Sequence, residues 1–164
     1  MKFLTVIAVL AVCLAIQTGL GRVWPDAPRY VDVMMVPVVW YAIAGSQRSG
    51  MLVGCATGLV QDAWFQAGAF GISGFKKTLI GWVLGGLGSR FDLNSTPSRF
   101  VFGAVATLSD SLLDLGLRQL LDQSSAAPHP LEILIKAILT GILVVVAFGM
   151  TGWRQGRKGR RSLG

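Results

Sequence analysis

The sequence predicts an all-α integral membrane protein: one bundle of about six transmembrane helices, with both termini on the cytoplasmic side. Of its 164 residues, 52% are hydrophobic and only 14% are charged, and the mean hydropathy is +0.60. A soluble domain carries roughly 25% charged residues. The hydrophobic residues also occur in blocks close to the roughly 20 residues that a spanning helix needs. Residues 1–153 are therefore predicted to form a single transmembrane domain, and residues 154–164 a basic cytoplasmic tail.

Six apolar segments are separated by polar or proline-containing breaks, and each segment is predicted to be one helix. Their approximate bounds are residues 3–20, 30–44, 51–65, 71–87, 99–121 and 131–153. The first segment continues past Cys13 to Leu20, which favours a membrane helix over a cleaved signal peptide. The second is short and contains Pro37, which removes a backbone donor and predicts a kink or a shallow insertion.

The last four segments are bounded by breaks of different kinds. A polar stretch at 45–50 precedes the third segment, and a short connection at 66–70 leads from the third to the fourth. A loop at 88–98, which contains Pro97, precedes the fifth, and the proline-bounded stretch 122–130 precedes the sixth. Clusters of glycine, proline and polar residues interrupt regular structure, so these stretches are predicted to be the connections.

The basic residues indicate the orientation, because cytoplasmic loops are enriched in Lys and Arg. With both termini cytoplasmic, the inner side holds nine basic residues, which are Lys2, Arg48, Arg90, Arg99, Arg154, Arg157, Lys158, Arg160 and Arg161. The outer side holds three, which are Arg22, Arg29 and Arg118. The clustered tail predicts contact with anionic lipid headgroups. No basic face interleaved with aromatic residues occurs elsewhere, so nucleic acid is not an expected partner.

The predicted helices contain a group of six ionisable residues for which insertion costs roughly 2.5 to 3.5 kcal/mol each, so that such residues normally face the interior. They are Asp62, Lys76, Lys77, Asp110, Asp114 and Lys136. Most of them lie in the outer half of the membrane in the predicted orientation. One interpretation is an internal salt-bridge network that determines helix packing. The other is a buried polar cluster, open to the outer face, that holds a ligand or a partner's side chain. For Lys136 pairing is favoured, because Glu132 precedes it by four residues.

Glycines share helix faces with several of these charges at 100° per residue. The third segment has Gly54, Gly58 and Asp62 on one stripe, and the fourth has Gly74, Lys77, Gly81 and Gly85. Transmembrane helices approach one another closely along such stripes, and contact within the chain is favoured over dimerisation. We therefore expect Asp62, Lys77 and Asp110 to face other helices. Lys76, on the opposite side, is expected to point outward or towards another contact.

The sequence offers none of the residue patterns of catalysis, cofactor binding or metal binding. His129 has no second His or Cys nearby, and Cys13 and Cys55 lie inside apolar segments without metal-ligand spacing. A P-loop, an HExxH motif and a GxGxxG motif are all missing from the sequence. We therefore expect no enzyme activity, no cofactor and no metal.

Residues 50–62 of the third segment, with the sequence GMLVGCATGLVQD, form a small-residue stretch that ends in Gly-Leu-x-x-Asp. This stretch and the segment after it resemble the rod shape-determining protein MreD family. In that family a short turn with glycine follows, here at residues 68–71, and then a helix similar to residues 74–82. A basic residue, here Arg90, follows that helix. The specific similarity covers about 40 residues, and the chain length, the intramembrane Asp110 and the basic tail also fit.

The resemblance implies a non-catalytic scaffold in the bacterial inner membrane. Proteins of this family bind the single-pass protein MreC in the machinery that elongates the peptidoglycan wall and maintains rod shape. They act indirectly with its transglycosylase and transpeptidase and with MreB filaments. The family is similar in fold to the S components of energy-coupling-factor transporters. The alternative function is therefore membrane binding or transport of a small metabolite, with Ala8, Ala11 and Ala15 serving to dock an energising subunit.

Overall fold

The computed structural model describes residues 3–65, 70–88, 96–120 and 129–159, and nearly all of them are α-helical. No β-strand occurs within these ranges, so the predicted all-α class is confirmed for them. The helices are α1 (Phe3–Val23), α2 (Ala27–Tyr30), α3 (Met35–Ala44), α4 (Gln47–Phe65), α5 (Ile72–Gly88), α6 (Thr96–Leu120) and α7 (Pro130–Gly159).

Three helices are long and apolar enough to cross a membrane. They are Leu4–Val23 in α1, Thr96–Leu117 in α6 and Pro130–Met150 in α7. Large apolar side chains remain exposed on them, among them Val12 and Ile16 on α1 and Ile142 and Val146 on α7. An extended apolar surface of this kind is unfavourable in water and favourable in contact with lipid. Within the described residues, these three helices support the prediction of a membrane protein.

The second predicted segment is broken, and the break is not where the sequence placed it. Val31 is extended, with φ −140° and ψ 127°, and helix resumes only after Met34. Pro37 lies in the first turn of α3, where a missing backbone N–H costs no helical hydrogen bond. The predicted kink at Pro37 is therefore replaced by a break at residues 31–34.

Helices α4 and α5 lie antiparallel, with their backbones in contact along a line of glycines. A Cβ added to Gly54 would overlap the carbonyl group of Lys77, and one added to Gly58 would overlap the backbone at Ser73. The other glycines without room for a Cβ in this contact are Gly50, Gly81 and Gly85, whereas Gly74 meets the side chain of Leu59. Close approach of this kind requires residues without side chains, and here it occurs within one chain.

Helix α3 lies in the centre of the bundle and packs against α4, α5, α6 and α7. Its Val38 and Val39 are fully buried and belong to one apolar cluster with Ile80 of α5 and Val144 of α7. Helix α6 packs antiparallel to α7, with Gly103 against Val144 and the guanidinium of Arg99 4.8 Å from the ring of Phe148. The short α3 is therefore the core around which the longer helices are arranged.

Helix α7 continues to Gly159, past the predicted end of the last segment at residue 153. The basic tail is thus helical for part of its length. Several residues used in the sequence argument lie outside the described residues: Lys2, Arg90, Arg160, Arg161 and the connections at 66–69, 89–95 and 121–128.

Candidate functional site: a buried ionic cluster

Two adjacent lysines on α5 reach two different parts of the bundle. Consecutive residues on a helix point about 100° apart, and Lys76 and Lys77 accordingly contact different carboxylates. The Nζ of Lys77 donates to Oδ2 of Asp32 at 2.6 Å. Only 1% of Lys77 and 3% of Asp32 are exposed. This is a fully buried ion pair between α5 and the break that precedes α3.

The break around Asp32 is held by side chains from three helices. Gln17 of α1 accepts from the backbone N–H of Val33 at 2.8 Å and donates to the carbonyl of Val31 at 3.3 Å. The hydroxyl of Thr140 on α7 accepts from the backbone N–H of Asp32 at 3.3 Å. Non-helical backbone is tolerated at membrane depth only where protein groups satisfy it. Gln17 and Thr140 meet that requirement for backbone groups of Val31, Asp32 and Val33, and Lys77 holds the side chain of Asp32.

The second lysine is shared between two carboxylates of α6. The Nζ of Lys76 donates to Oδ1 of Asp114 at 2.6 Å and lies 3.7 Å from Oδ1 of Asp110. Asp110 and Asp114 are one helical turn apart, so both face the same ammonium group. Lys76 is only 5% exposed. The sequence offered an outward position or another contact for Lys76, and the structure places it at a contact with α6.

Asp62 lies apart from these pairs and caps α5. Its Oδ2 accepts from the backbone N–H groups of Gly71 at 2.9 Å and Gly74 at 3.2 Å, and its Oδ1 accepts from that of Ser73 at 3.3 Å. The first N–H groups of a helix have no partner within the helix, and a carboxylate there also interacts favourably with the helix dipole. Gly71 has a positive φ of 99°, which lets the chain turn beneath the carboxylate.

Lys136 does not pair with Glu132, contrary to the sequence expectation. Among the described residues no ion pair within 4 Å includes either side chain. Lys136 is half-buried on α7, one turn before Thr140, and its charge contributes to the electrostatic potential at Asp32. It is therefore a neighbour of the buried cluster without a direct ionic contact.

The residue that the sequence argument missed is Asp32. Asp32 is the third residue of the predicted second segment, which begins at residue 30, and its Oδ2 is the ion-pair partner of Lys77. The sequence does mark Asp32 as a candidate intramembrane charge, because it is an isolated acid between Val31 and Val33. The sequence does not pair Asp32 with Lys77, because 45 residues separate them.

The remaining residues considered as candidate metal ligands are His129, Cys13 and Cys55. The carbonyl of His129 accepts from the backbone N–H of Glu132 at 2.9 Å at the start of α7. Cys13 is buried and Cys55 is half-buried, and both are free thiols. Within the ranges that the structure describes, no group of three or more His, Cys, Asp or Glu side chains is arranged to hold a metal ion.

A groove of about 360 Å³ lies along α1, and none of its lining residues belongs to the ion pairs described above. It is lined by Ala11, Leu14, Ala15, Thr18, Gly19, Arg22 and, from α4, Trp64. Two of the alanines proposed for docking an energising subunit, Ala11 and Ala15, are in this groove, and Ala8 is exposed on the same helix.

The ion pairs of Lys76 with α6 and of Lys77 with Asp32 lie in the half of the bundle where α4 and α6 finish and α5 and α7 begin. Comparison of the chain with protein-family models, with curated proteins and with solved structures finds no match.

Proposed function

We propose that this protein is a non-catalytic scaffold of the bacterial wall-elongation machinery, in the inner membrane, where it binds an MreC-type single-pass protein and maintains rod shape. The observation that carries the proposal is the sequence of residues 50–62, with its Gly-Leu-x-x-Asp ending at Asp62. Through such a partner the protein would act indirectly with the transglycosylase, the transpeptidase and MreB filaments.

The surroundings of this stretch are consistent with a scaffold. Residues 50–62 form most of α4, whose glycines bring it into backbone contact with α5, and Asp62 ties the end of α4 to the start of α5. A binding surface is most effective when its supporting elements are rigid. Backbone contact along the glycines and the bonds of Asp62 hold α4 against α5, so Asp62 and the glycine line are proposed to set the shape that a partner helix recognises.

The proposal includes six membrane passes with both termini cytoplasmic and an S-component-like arrangement of the helices. At 1.5 Å per residue, the 19 residues of α4 and the 17 of α5 extend about 28 and 26 Å, close to the roughly 30 Å of a hydrocarbon core. The 10 residues of α3 extend only about 15 Å. Helices α2 and α3, with the break between them, are proposed to make one discontinuous pass.

The alternative is an S-component-like binder or transporter of a small metabolite. The groove on α1, with Ala11 and Ala15 at its surface, is the observation that favours it. Small residues permit close approach of a partner helix. In this alternative the partner is an energising subunit, and a small molecule accompanies the protein.

Affinity purification of the tagged full-length chain in mild detergent tests both proposals, with mass spectrometry of proteins and small molecules. Copurification of an MreC-type protein supports the scaffold, whereas an ATPase-associated subunit or a stoichiometric metabolite supports the transporter. Replacement Asp62→Leu is expected to reduce recovery of the MreC-type protein or to destabilise the bundle. The matched control is Asp26→Leu, at an exposed acid, which should preserve recovery. A stable Asp62→Leu protein that binds the partner normally would contradict the proposed role of Asp62.

A further inference from the structure

The groove along α1 combines an apolar surface with a cation at one end. Its residues Ala11, Ala15 and Gly19 share one face of the helix with Arg22, because positions three or four apart lie on the same side. A Cβ added to Gly19 would have no atom within 4 Å, so the groove is open at that position. From Ala11 to Arg22 the helix rises about 16 Å at 1.5 Å per residue. The groove is therefore an elongated depression with its one charged residue at the end of α1.

The charged end of the groove has the residue types of a membrane interface. Arg22 is one residue from the end of α1, and Trp64, which lines the groove from α4, is one residue from the end of its own helix. Trp is enriched where a spanning helix meets the lipid headgroups, and Arg at that depth interacts with their phosphates. Ala11 lies eleven residues earlier in α1, at the depth of the acyl chains. Charge and apolar surface thus follow the same order along the groove as in a phospholipid.

The positive charge of Arg22 has no ionic partner among the residues that the structure describes. Arg22 is exposed and takes part in none of their ion pairs, and α1 contains no Asp or Glu. Two acids close in sequence to the lining residues have other contacts. Asp26 lies 3.9 Å from Arg29, and Asp62 accepts from backbone N–H groups at the start of α5. An anion with several acceptor oxygens, such as a phosphate group, is complementary to this end of the groove.

The size of the groove favours an acyl chain over a partner helix. Its volume of about 360 Å³ lies near the lower end of the roughly 300 to 1,000 Å³ of small-molecule sites. A helix is at least about 10 Å across, so a 16 Å length of one occupies more than about 1,200 Å³. A helix would therefore rest on the rim, whereas one acyl chain can lie inside. A helix backbone also brings no net anionic charge to Arg22.

We propose that this groove binds one anionic phospholipid, with an acyl chain along Ala11, Ala15 and Gly19 and the phosphate at the guanidinium of Arg22. The inference goes beyond both proposed functions, because the occupant is a lipid instead of a protein helix or a soluble metabolite. Since Trp64 of α4 lines the same groove, the bound lipid contacts two helices and holds α1 beside α4.

Native mass spectrometry of the full-length protein, delipidated in detergent and titrated with lipid, tests the headgroup contact. We expect the wild type to bind one phosphatidylglycerol at least about fivefold more tightly than phosphatidylethanolamine with the same acyl chains. Arg22→Gln should remove this preference, and Arg22→Lys should keep most of it. The matched control is Arg29→Gln, at an exposed arginine outside the groove, which should behave as the wild type. Equal binding of the two lipids by the wild type, or the same loss in both Gln variants, would overturn the proposal.

Replacement Gly19→Leu tests the apolar part of the groove, because the new side chain occupies the space assigned to the acyl chain. It should weaken phosphatidylglycerol binding at least about fivefold. The matched control is Gly116→Leu, at a second exposed helical glycine with no atom within 4 Å of an added Cβ, which should leave binding unchanged. Circular dichroism checks that both variants are folded.

Three outcomes of the Gly19→Leu experiment would contradict a lipid site. Lipid binding equal to that of Gly116→Leu would show that the acyl chain lies elsewhere. Loss of a copurifying protein from Gly19→Leu, with no lipid retained by the wild type, would make the groove a helix-docking surface. Inorganic phosphate that displaces the lipid from the wild type at equal concentration would show that the acyl chain contributes nothing to binding.

Discussion

The Nζ of Lys77 lies 2.6 Å from Oδ2 of Asp32, and both side chains are almost completely buried. The pair joins the second turn of the glycine-rich α5 to the non-helical backbone between α2 and α3. Because that backbone is also bonded to Gln17 and Thr140, the ion pair links α5 to α1, α3 and α7. The four predictions below follow from this arrangement, from the glycine contact of α4 and α5, and from the distribution of basic residues.

Replacement Lys77→Met is expected to destabilise the folded protein by about 3 to 5 kcal/mol, because Asp32 then remains as a buried, unpaired charge. The measurement is thermal unfolding in detergent, followed by circular dichroism. The control is Arg29→Met, which removes an exposed pair with Asp26 and should cost at most about 1 kcal/mol. Equal stability of Lys77→Met and the wild type would mean that the pair does not contribute to the fold.

Replacement Gly54→Ala is expected to destabilise the α4–α5 contact by about 1 to 3 kcal/mol, because the new methyl group overlaps the carbonyl of Lys77 and the helices must separate. The matched control is Gly116→Ala, where no atom lies within 4 Å of the added Cβ. That change should be neutral or stabilising by up to about 1 kcal/mol, because alanine favours helix over glycine. If Gly54→Ala and Gly116→Ala unfold at the same temperature, α4 and α5 do not approach each other closely at Gly54.

Replacement Gln17→Leu is expected to loosen the break at residues 31–34. It removes an acceptor for the N–H of Val33 and a donor for the carbonyl of Val31. A buried backbone group left without a partner costs about 1 to 3 kcal/mol. Hydrogen exchange followed by mass spectrometry should show faster exchange in the peptide containing Val33.

The comparison for Gln17→Leu is Thr18→Val, which removes only a bond from a side chain to its own helix. It should leave exchange at Val33 unchanged. Protection at Val33 that survives Gln17→Leu would indicate that Gln17 is not needed to hold the extended backbone.

Reporter fusions at the two ends of the chain are expected to give cytoplasmic signals. Nine basic residues lie on the predicted inner side and three on the outer side, and cytoplasmic loops carry the excess of positive charge. An alkaline phosphatase fusion at either end should be inactive, and a green fluorescent protein fusion should be bright. Opposite results from the two ends would require an odd number of passes and would contradict the proposed six.

Most of the helical arrangement was predictable, because it depends on local hydrophobicity. Blocks of apolar residues and their polar breaks placed α1, α4, α5 and α6 close to their observed bounds, and they also placed the start of α7. The stripe of Gly54 and Gly58 also predicted where a neighbouring helix approaches. Periodicity identifies such faces because residues three or four apart share one side of a helix.

The amino-acid order thus accounts for the apolar character of the chain, its helices and the faces that carry charge, since these depend on neighbours along the chain. The partners of those charges required the packed bundle. Asp32 meets Lys77 across 45 residues, and Asp62 bonds to the start of α5. Glu132 and Lys136 take part in no ion pair with the residues that the structure describes. Pairing of this kind depends on distances between helices, and helical phase specifies a direction around one helix but not which helix lies there.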